Sequence, residues 1–372
     1  MSFETLTLIV AAGLFGPLLA APGRVRIPLL IGEIGAGIAL GNTGLQRLHP
    51  GDPTFTVMAN IGFALVMFVA GTHVPIRDAR LKQSIRRGAA RAGVVGALSV
   101  PAGWGIAHAF GTGHPALYAV LLASSSAALI LPLVEATGLE GGDTLDLLAQ
   151  VAIADVACIV ALPLAIKPSS AGTAALGALA VIAATAVAFV GLRAAERSGR
   201  RKRVHDLSED RKFALELRIS LLVLFALAAL AHATHVSIML AGFALGLVVT
   251  AVGEPRRLAR QLFGLTEGFF GPLFFVWIGA TLDLRAFGSH PKYLALGAVL
   301  GAGAIVVHAV LAVGRQPVRF GVIASAQLGV PVAAVALGTQ QHLLASGESA
   351  ALILGALTTI VASTGAAVAA SA

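Results

Sequence analysis

Long apolar runs, separated by charged residues or by glycine- and proline-containing turns, make up most of the sequence. A helix that crosses a bilayer needs about 20 predominantly apolar residues. Thirteen runs approach or reach that length, and the eighth and ninth could be wrongly divided around His232 to His235. The runs lie at 3–20, 26–43, 54–72, 91–110, 115–136, 144–166, 172–192, 217–232, 235–251, 262–282, 292–313, 317–338 and 348–370. The pattern predicts an all-α polytopic membrane protein with about 13 transmembrane helices.

The composition agrees with this interpretation. Of the 372 residues, 57% are hydrophobic and 12% are charged, whereas a soluble domain carries about 25% charged residues. The net charge of +8 is not interpreted as a sign of nucleic-acid binding, because the basic residues lie between apolar runs, where they indicate membrane topology. Cys158, the single cysteine, lies inside such a run, so we expect neither a disulfide framework nor a cysteine metal site. The first run contains Glu4 near its start and has no Lys or Arg before its apolar core, which favours a membrane span over a signal peptide.

The distribution of basic residues predicts the orientation. Loops that follow odd-numbered runs hold 22 of the 26 Lys and Arg residues, and the other loops hold only four. By the positive-inside rule, the odd loops are cytoplasmic, the N-terminus is outside and the C-terminus is inside, in the cell's inner (plasma) membrane. The longest loop, 196–218, is a charge run of both signs. It is read as a cytoplasmic linker, with a regulatory lipid contact as the alternative.

A weak internal repeat divides the chain into two halves. Gly37–Gly41 in the second run recurs as Gly242–Gly246 in the ninth, and the segment 71–77 recurs as 279–285. The two offsets are nearly equal, and seven crossings separate partner runs. An odd number of crossings predicts two halves of inverted topology, as in many secondary transporters. The predicted organisation is a first half at 1–192, a basic linker at 193–216 and a second half at 217–372.

Asp155 is the most informative single residue. It lies near the middle of a 23-residue apolar run, which is about 35 Å long as a helix. Its neighbours at helical spacing carry no charge, so a partner must come from another helix. An ionisable side chain at that depth costs several kcal/mol and usually marks an ion or proton pathway. The alternative is a permanently protonated acid that only packs helices.

Two runs contain residues that interrupt helices, and inverted repeats place a substrate site where such helices cross at the midplane. The fifth and twelfth runs correspond by the repeat offset. Serine hydroxyls and freed backbone carbonyls suit a partly dehydrated hard cation. Alternatively, each Ser bonds back to its own helix and the prolines merely kink theirs. The residues concerned are Ser124, Ser125, Ser126 and Pro132 in the fifth run, and Gln327, Gly329 and Pro331 in the twelfth.

Further polar residues inside apolar runs are weaker candidates. His308 is either a satisfied packing residue or a charge partner and proton site. Glu33 and Glu267 are read as gate or packing elements near helix ends, and Thr359 stands one repeat offset from Asp155. The sequence contains no nucleotide-binding loop, no metal-ligand spacing and no GxSxG motif. We therefore expect neither an enzyme nor a bound cofactor.

Several segments together resemble the second monovalent cation:proton antiporter family, which includes relatives of bacterial sodium/proton exchangers and potassium efflux systems. They are PLLIGEIGAGIALGNTG, IGFALVMFVAGTHVPIRD, the Ser-rich fifth run, the helix around Asp155 and GPLFFVWIGATLDLRAF, in that order over nearly the whole chain. The resemblance implies a homodimeric antiporter. In such a protein, crossed broken helices, which match the fifth and twelfth runs here, hold an ion at an Asp that matches Asp155.

The chain departs from the family pattern at several points. Ala154 stands where the family often has Asp, Asn or Gln, and His308 stands at a position that is Lys in charge-moving members. We expect no nucleotide-binding regulatory domain after the thirteenth run, unlike in the glutathione-gated potassium systems. The His308 position argues against electrogenic exchange, and Ala154 leaves the identity of the ion open. The predicted function is exchange of a monovalent cation, with Na⁺ ahead of K⁺, for H⁺ by alternating access at Asp155, and we expect the exchange to be electroneutral. The alternatives are a proton-regulated cation channel and a sodium-coupled organic anion symporter. The symporter is disfavoured because an organic substrate needs a larger pocket, often with Arg or Asn, and the candidate spans offer neither at the midplane.

Overall fold

The computed structural model describes residues 1–21, 29–72, 79–199, 213–234, 236–253, 256–314, 316–345 and 347–371, together with residues 203, 207 and 211. Arg24, Arg26, Arg77, His235 and residues 200–202, 204–206, 208–210 and 212 of the predicted linker lie outside the described residues. Every regular element in the described part is helical. The predicted all-α class is therefore confirmed.

The first half of the chain contains nine helices within the described residues. They are α1 (Phe3–Gly13), α2 (Phe15–Ala20), α3 (Leu29–Leu40), α4 (Pro53–Thr72), α5 (Ala79–Phe110), α6 (Pro115–Ala123), α7 (Ala127–Thr137), α8 (Gly142–Ile166) and α9 (Ala171–Arg197), with a 3₁₀ turn at Pro168–Ser170.

The second half follows the charged segment. Its helices are α10 (Leu215–Ala233), α11 (Ile238–Val252), α12 (Arg256–Leu265), α13 (Gly271–Thr281), α14 (Arg285–Ser289), α15 (Lys292–Ala309), α16 (Val318–Ala324), α17 (Gly329–Gln340) and α18 (Glu348–Ser371). A π-helical turn lies at Thr266–Phe270 and a 3₁₀ turn at Val310–Gly314.

Each predicted span coincides with one apolar helical segment. Ten segments of the described chain are long and apolar enough to cross a membrane, and three shorter apolar ones lie at Leu29–Leu40, Pro115–Leu131 and Ile238–Val252. The eighth and ninth predicted spans are two separate helices, because α10 ends at Ala233 and α11 begins at Ile238 with Ser237 as its cap. The protein is a multi-pass membrane protein, whereas the exact count of thirteen stays a prediction.

Glycines allow two pairs of helices to approach closely, as small residues commonly do in membrane proteins. A Cβ atom on Gly37 of α3 would overlap the Val276 carbonyl of α13 and lie 3.0 Å from Gly279 Cα. Likewise, a Cβ atom on Gly246 of α11 would overlap the Phe68 carbonyl of α4 and lie 2.8 Å from Gly71 Cα. The two helix crossings therefore have no room for any side chain at these positions.

These two crossings use the residues of the sequence repeat. Gly37 of the first half meets Gly279 of the second, and Gly71 of the first half meets Gly246 of the second. By their contacts, Gly37 in the first half and Gly246 in the second half hold equivalent positions. The sequence repeat instead pairs Gly37 with Gly242, which lies one helical turn before Gly246. Reciprocal contacts of this kind are expected of two related halves. The inverted repeat itself stays a prediction.

The remaining helices surround the two interrupted spans. Helix α8 packs against α5, α6, α7, α16 and α17, and α18 packs against α15, α16 and α17. The helices α5, α8 and α16 begin at one end of this group, which we call the basic end because Arg87 and Arg91 lie there. The helices α6 and α18 begin at the opposite end, where His114 contacts Glu348. Asp155 thus lies midway along a helix enclosed by both interrupted spans.

Candidate functional site

Asp155 lies beside the point where the fifth span is interrupted. The side chain is 5% exposed, and its Oδ2 atom accepts a hydrogen bond of 2.9 Å from the backbone N–H of Ala127. Ala127 is the first residue of α7, and the N-terminus of a helix carries unpaired N–H groups and a partial positive charge. In the described part of the chain, no Lys, Arg or His nitrogen lies within 4.0 Å of the Asp155 carboxyl. The partner expected from another helix is therefore a backbone group.

Both predicted interruptions are present, at 124–126 between α6 and α7 and at 325–328 between α16 and α17. Backbone groups at a helix break lose their helical partners, and in an apolar environment each unsatisfied group costs several kcal/mol. The two breaks meet these needs from each other. The N–H of Ser126 donates to the carbonyl of Ala326 at 2.8 Å.

Side chains complete the crossing in a reciprocal way. The Ser125 hydroxyl, after α6, donates to the Ala324 carbonyl at the end of α16 at 2.7 Å. The Gln327 amide, after α16, donates to the Leu121 carbonyl in the last turn of α6, also at 2.7 Å. Each half-helix therefore has a C-terminal carbonyl bonded by a side chain from the opposite break. These bonds hold the two breaks against each other.

Thr359 lies beside the second break, in a position similar to that of Asp155 beside the first break. Its hydroxyl oxygen accepts a hydrogen bond of 3.2 Å from the backbone N–H of Gln327 and donates to the carbonyl of Ala356 at 2.7 Å. Asp155 in α8 and Thr359 in α18 thus each accept an N–H from a broken helix. One acceptor is ionisable and the other is not, so the pair of breaks has one titratable centre of this kind.

The three serines have different roles. Ser124 donates to the Leu121 carbonyl of its own helix at 2.9 Å, as the local alternative predicts. Ser125 makes the contact across the breaks and also faces the Nε2 atom of His308 at 3.4 Å. Ser126 contributes its backbone N–H to the crossing. The Ser125 hydroxyl therefore has atoms of α15 and of α16 beside it.

His308 is fully buried in α15, 0% exposed. Its Nδ1 atom lies 2.8 Å from the carbonyl oxygen of Ala304. A carbonyl only accepts, so Nδ1 carries the proton, and in the neutral ring Nε2 carries a lone pair. The one hydrogen of the Ser125 hydroxyl is donated to the Ala324 carbonyl, so Nε2 and Ser125 Oγ lie side by side at 3.4 Å without sharing it. The structure therefore brings His308 to the first break through Ser125.

The prolines are not themselves the interruptions. Pro132 is the sixth residue of α7, beyond the break, and its side chain lies outside the described part. Gly329 begins α17 and Pro331 is its third residue, a first-turn position where the missing N–H of proline costs nothing.

Glu33 and Glu267 are not part of this arrangement. Glu33, 4% exposed, is the fifth residue of α3, where it packs near Gly16 of α2. Glu267 is exposed on the π-helical turn before α13. The structure places both among the helices that form the glycine crossings.

A second buried polar group, which is not among the predicted site residues, lies at the basic end of α8. Asp146, Gln150 and Gln316 are all at most 2% exposed, and the Gln316 amide donates to Gln150 Oε1 at 3.2 Å. The signal was present, since Asp146 and Gln150 stand four residues apart in the apolar run of Asp155. Their convergence with Gln316 required the fold.

Cavities open near the end opposite to the basic one. One of about 200 Å³ is lined by residues that include Asn60, His232 and Ser237, and one of about 280 Å³ by residues that include Lys167 and Ser170. Both also touch Leu337 and Gln341, at the end of α17. Among the described residues, no three His, Cys, Asp or Glu side chains form a group that could hold a metal ion.

Comparison with known proteins agrees with this architecture. The family described as "Sodium/hydrogen exchanger, transmembrane" matches residues 9–370. YjbQ of Bacillus subtilis (strain 168), whose Na⁺/H⁺ antiporter name is provisional, is 23% identical over 96% of this chain and 61% of its own length. The Na⁺/H⁺ antiporter NhaS5 of Synechocystis sp. (strain ATCC 27184 / PCC 6803 / Kazusa) is 28% identical over 71% of this chain and 38% of its own.

A third relative is the Na⁺/H⁺-K⁺ antiporter GerN of Bacillus cereus, which is 21% identical over 77% of this chain and 73% of its own length. The chain thus spans about three fifths or less of the first two relatives. The family match covers nearly all of the sequence, and its members are transporters rather than enzymes. The chain belongs to the sodium/hydrogen exchanger family.

Proposed function

We propose that this chain exchanges a monovalent cation for protons across the membrane, with Asp155 binding either the cation or a proton but never both. The observation that carries the proposal is the position of the Asp155 carboxyl. It is buried against the N-terminus of α7, with a backbone N–H as its partner. A carboxylate with no basic side chain beside it, among the described residues, can bind a positive ion without first breaking an internal ion pair.

Na⁺ is the cation that we propose first, ahead of K⁺. The names of the relatives support it, since all three include Na⁺ and one adds K⁺. The crossing of the two breaks, beside which Asp155 lies, contains oxygen atoms of the kind that hard cations prefer. The hydroxyl of Ser125 and the carbonyls at the ends of α6 and α16 are the candidates.

The test is Asp155→Asn in everted vesicles or proteoliposomes, with dissipation of a pre-formed ΔpH on addition of NaCl as the readout. The amide keeps the shape of the side chain but cannot trade a proton for a cation, so we expect loss of exchange with an unchanged size-exclusion profile. Glu33→Gln is the matched control, because it also neutralises a buried acid in an apolar helix, and it should retain exchange.

Three results would count against the proposal. Wild-type rates in Asp155→Asn would remove Asp155 from the site, and equal losses in Glu33→Gln would indicate general damage to the membrane region. A sodium current through the wild-type protein that is not coupled to proton movement would favour a proton-regulated channel instead.

We further propose that the exchange is electroneutral, with one cation for one proton. Asp155 has Ala154 beside it rather than a second acid, so the loaded site is neutral whether it carries a proton or Na⁺. His308 is the residue that could change this, because a proton taken up at Nε2 and released on cation binding would add a second proton to the cycle. We expect His308 to remain neutral, since a buried charge is strongly disfavoured.

Electroneutrality is tested with sodium-loaded liposomes in which potassium and valinomycin impose a membrane potential. The initial rate should be independent of the voltage. A rate that follows the voltage would contradict the proposal. Loss of that dependence in His308→Gln would then assign the second proton to His308.

The remaining expectations from the sequence form part of the same proposal. The protein resides in the inner (plasma) membrane as a homodimer, with the N-terminus outside and the C-terminus in the cytoplasm. The basic end of the bundle is then its cytoplasmic end.

A further inference from the structure

The polar group at the basic end of α8 contains a buried carboxylate that the protein satisfies poorly. Asp146 is 2% exposed. Its Oδ2 atom lies 3.4 Å from Arg91 and 3.6 Å from Arg87, whereas a charge-assisted hydrogen bond is about 2.7–2.9 Å long. Its Oδ1 atom has no hydrogen-bond partner among the described residues. A buried carboxylate in this condition favours any further positive group that can reach it.

Other polar atoms of the same group are also unpaired within the described part of the chain. They are Gln316 Oε1, Gln150 Nε2 and Arg91 Nη1, and the two glutamines hold each other through their remaining amide atoms. Buried polar atoms in native proteins nearly always have a partner, either protein, water or ion. At the meeting point of α5, α8 and the approach to α16, the two unpaired oxygens, Asp146 Oδ1 and Gln316 Oε1, can accept a positive group, whereas the two unpaired nitrogens need an acceptor such as water. The pair of oxygens therefore indicates a ligand site.

The nature of the unpaired atoms indicates which ligand fits. Asp146 Oδ1 and Gln316 Oε1 are oxygen acceptors, which suit a hard cation. A single carboxylate supplies too little negative charge for a divalent ion beside two arginines. Arg91 is 16% exposed and Arg87 is 76% exposed along their side chains, so both have a route to solvent.

This site is separate from the one around Asp155. Asp146 lies nine residues before Asp155, which is about 13 Å along the helix and about two and a half turns, so the two side chains point to opposite faces of α8. Asp155 meets α7, whereas Asp146 meets α5. A cation at Asp146 therefore does not lie on the same helix face as the proposed exchange site.

We propose that Asp146, Gln150 and Gln316 form a second monovalent-cation site at the basic end of the protein, where the guanidinium of Arg91 competes with the cation for the Asp146 carboxylate. Binding moves Arg91 toward solvent and places the cation against α5, α8 and the segment that leads into α16. The proposal does not depend on the exchange activity of Asp155.

The experiment measures thermal stability of the purified full chain in detergent, with NaCl titrated against choline chloride at equal ionic strength. Asp155→Asn is the background, so that binding at the exchange site does not contribute. A ligand that binds the folded state raises the melting temperature as its concentration exceeds its Kd. We expect a sodium-specific rise in Asp155→Asn and its loss on adding Asp146→Asn.

Arg91→Gln separates binding from simple support of the fold. If Arg91 competes with Na⁺, the Arg91→Gln variant should show the sodium-specific rise at a several-fold lower NaCl concentration. A purely structural ion pair predicts the reverse, with both partners' variants weakened alike. Gln316→Leu, which removes the free oxygen, should shift the rise to several-fold higher NaCl and serves if Asp146→Asn does not fold.

Glu348→Gln is the matched control. It also neutralises a buried carboxylate, at the opposite end, but Glu348 already accepts hydrogen bonds from Tyr118 and the Ala345 N–H and contacts His114. In the same background it should leave the sodium dependence unchanged. The proposal is overturned if Asp155→Asn shows no sodium-specific rise, if the rise survives Asp146→Asn, or if Arg91→Gln weakens it.

Discussion

Ser125 and Ser124 offer a sharp comparison at the crossing of the two broken helices, because adjacent and equally buried hydroxyls have different partners. Ser125 donates across the breaks to Ala324 and faces His308, whereas Ser124 donates within its own helix to Leu121. Replacement by Ala removes one hydroxyl in each case. Only Ser125→Ala removes a group that joins two broken helices.

The expected size of the effect follows from the single interaction lost. A hydrogen bond or comparable oxygen contact contributes about 0.5–1.5 kcal/mol net, and about 1.4 kcal/mol corresponds to a factor of ten in binding. We therefore expect Ser125→Ala to raise the KM for the cation about 2- to 10-fold. Vmax should change less, because the lost ligand weakens binding before it hinders movement. Ser124→Ala should keep the wild-type KM.

The assay is the initial rate of ΔpH dissipation as a function of cation concentration, in vesicles that contain equal amounts of each variant. Melting temperatures in detergent show whether the loss of a partner for the Ala324 carbonyl also destabilises the protein. Equal KM changes in Ser124→Ala and Ser125→Ala would refute the argument from the crossing contact. If Ser126→Ala and both other variants all retain the wild-type KM, the fifth span does not line the site.

Two further predictions concern stability. Gly37→Ala should lower the melting temperature, because a Cβ at Gly37 would overlap the Val276 carbonyl and overpacking costs about 1–3 kcal/mol. In the control Gly35→Ala, in the same helix, the added Cβ meets no atom within 4 Å, so the change should be neutral or slightly stabilising. Equal melting temperatures of the two variants would show that α3 and α13 do not pack in this way. His114, before α6, has its pKa raised by its hydrogen bond to Glu348, against the effect of burial. Because the pKa is raised, the contribution of the His114–Glu348 contact to the free energy of unfolding is complete below the unfolded-state pKa of about 6.5. This contribution is lost as the pH rises through the folded-state pKa of His114. The melting temperature should therefore fall over that range in the wild type and fall less in His114→Gln, and an identical pH dependence in the variant would contradict the assignment.

Much of the fold could be predicted from the sequence because a bilayer imposes strong local constraints. Only helices that bond their own backbone, or closed barrels, can span it, so the length and spacing of apolar runs predicted the spans without knowledge of their packing. The same constraint singled out Asp155, because an ionisable side chain inside an apolar run is energetically costly and usually has a function. Breakers such as Gly329 and the row of three serines marked where the helices are interrupted.

Long-range contacts made of backbone atoms could not be predicted in this way. The partner of Asp155 is the N–H of Ala127, and the partners of Ser125 and Gln327 are carbonyls of Ala324 and Leu121. Every residue carries such groups, so residue type gives no signal for them. Only the crossing of the breaks determines which ones are free and where they point.

The polar group around Asp146 also separates what the sequence determines from what the tertiary structure determines. The sequence by itself determined that Asp146 and Gln150 share one face of a helix, since they are four residues apart. It could not determine that Gln316, which is 166 positions beyond Gln150, would meet them. Periodicity within a helix is a local property of the chain, so the sequence determines it. The partners of buried polar atoms depend on how helices distant in sequence pack together, and only the tertiary structure decided that packing.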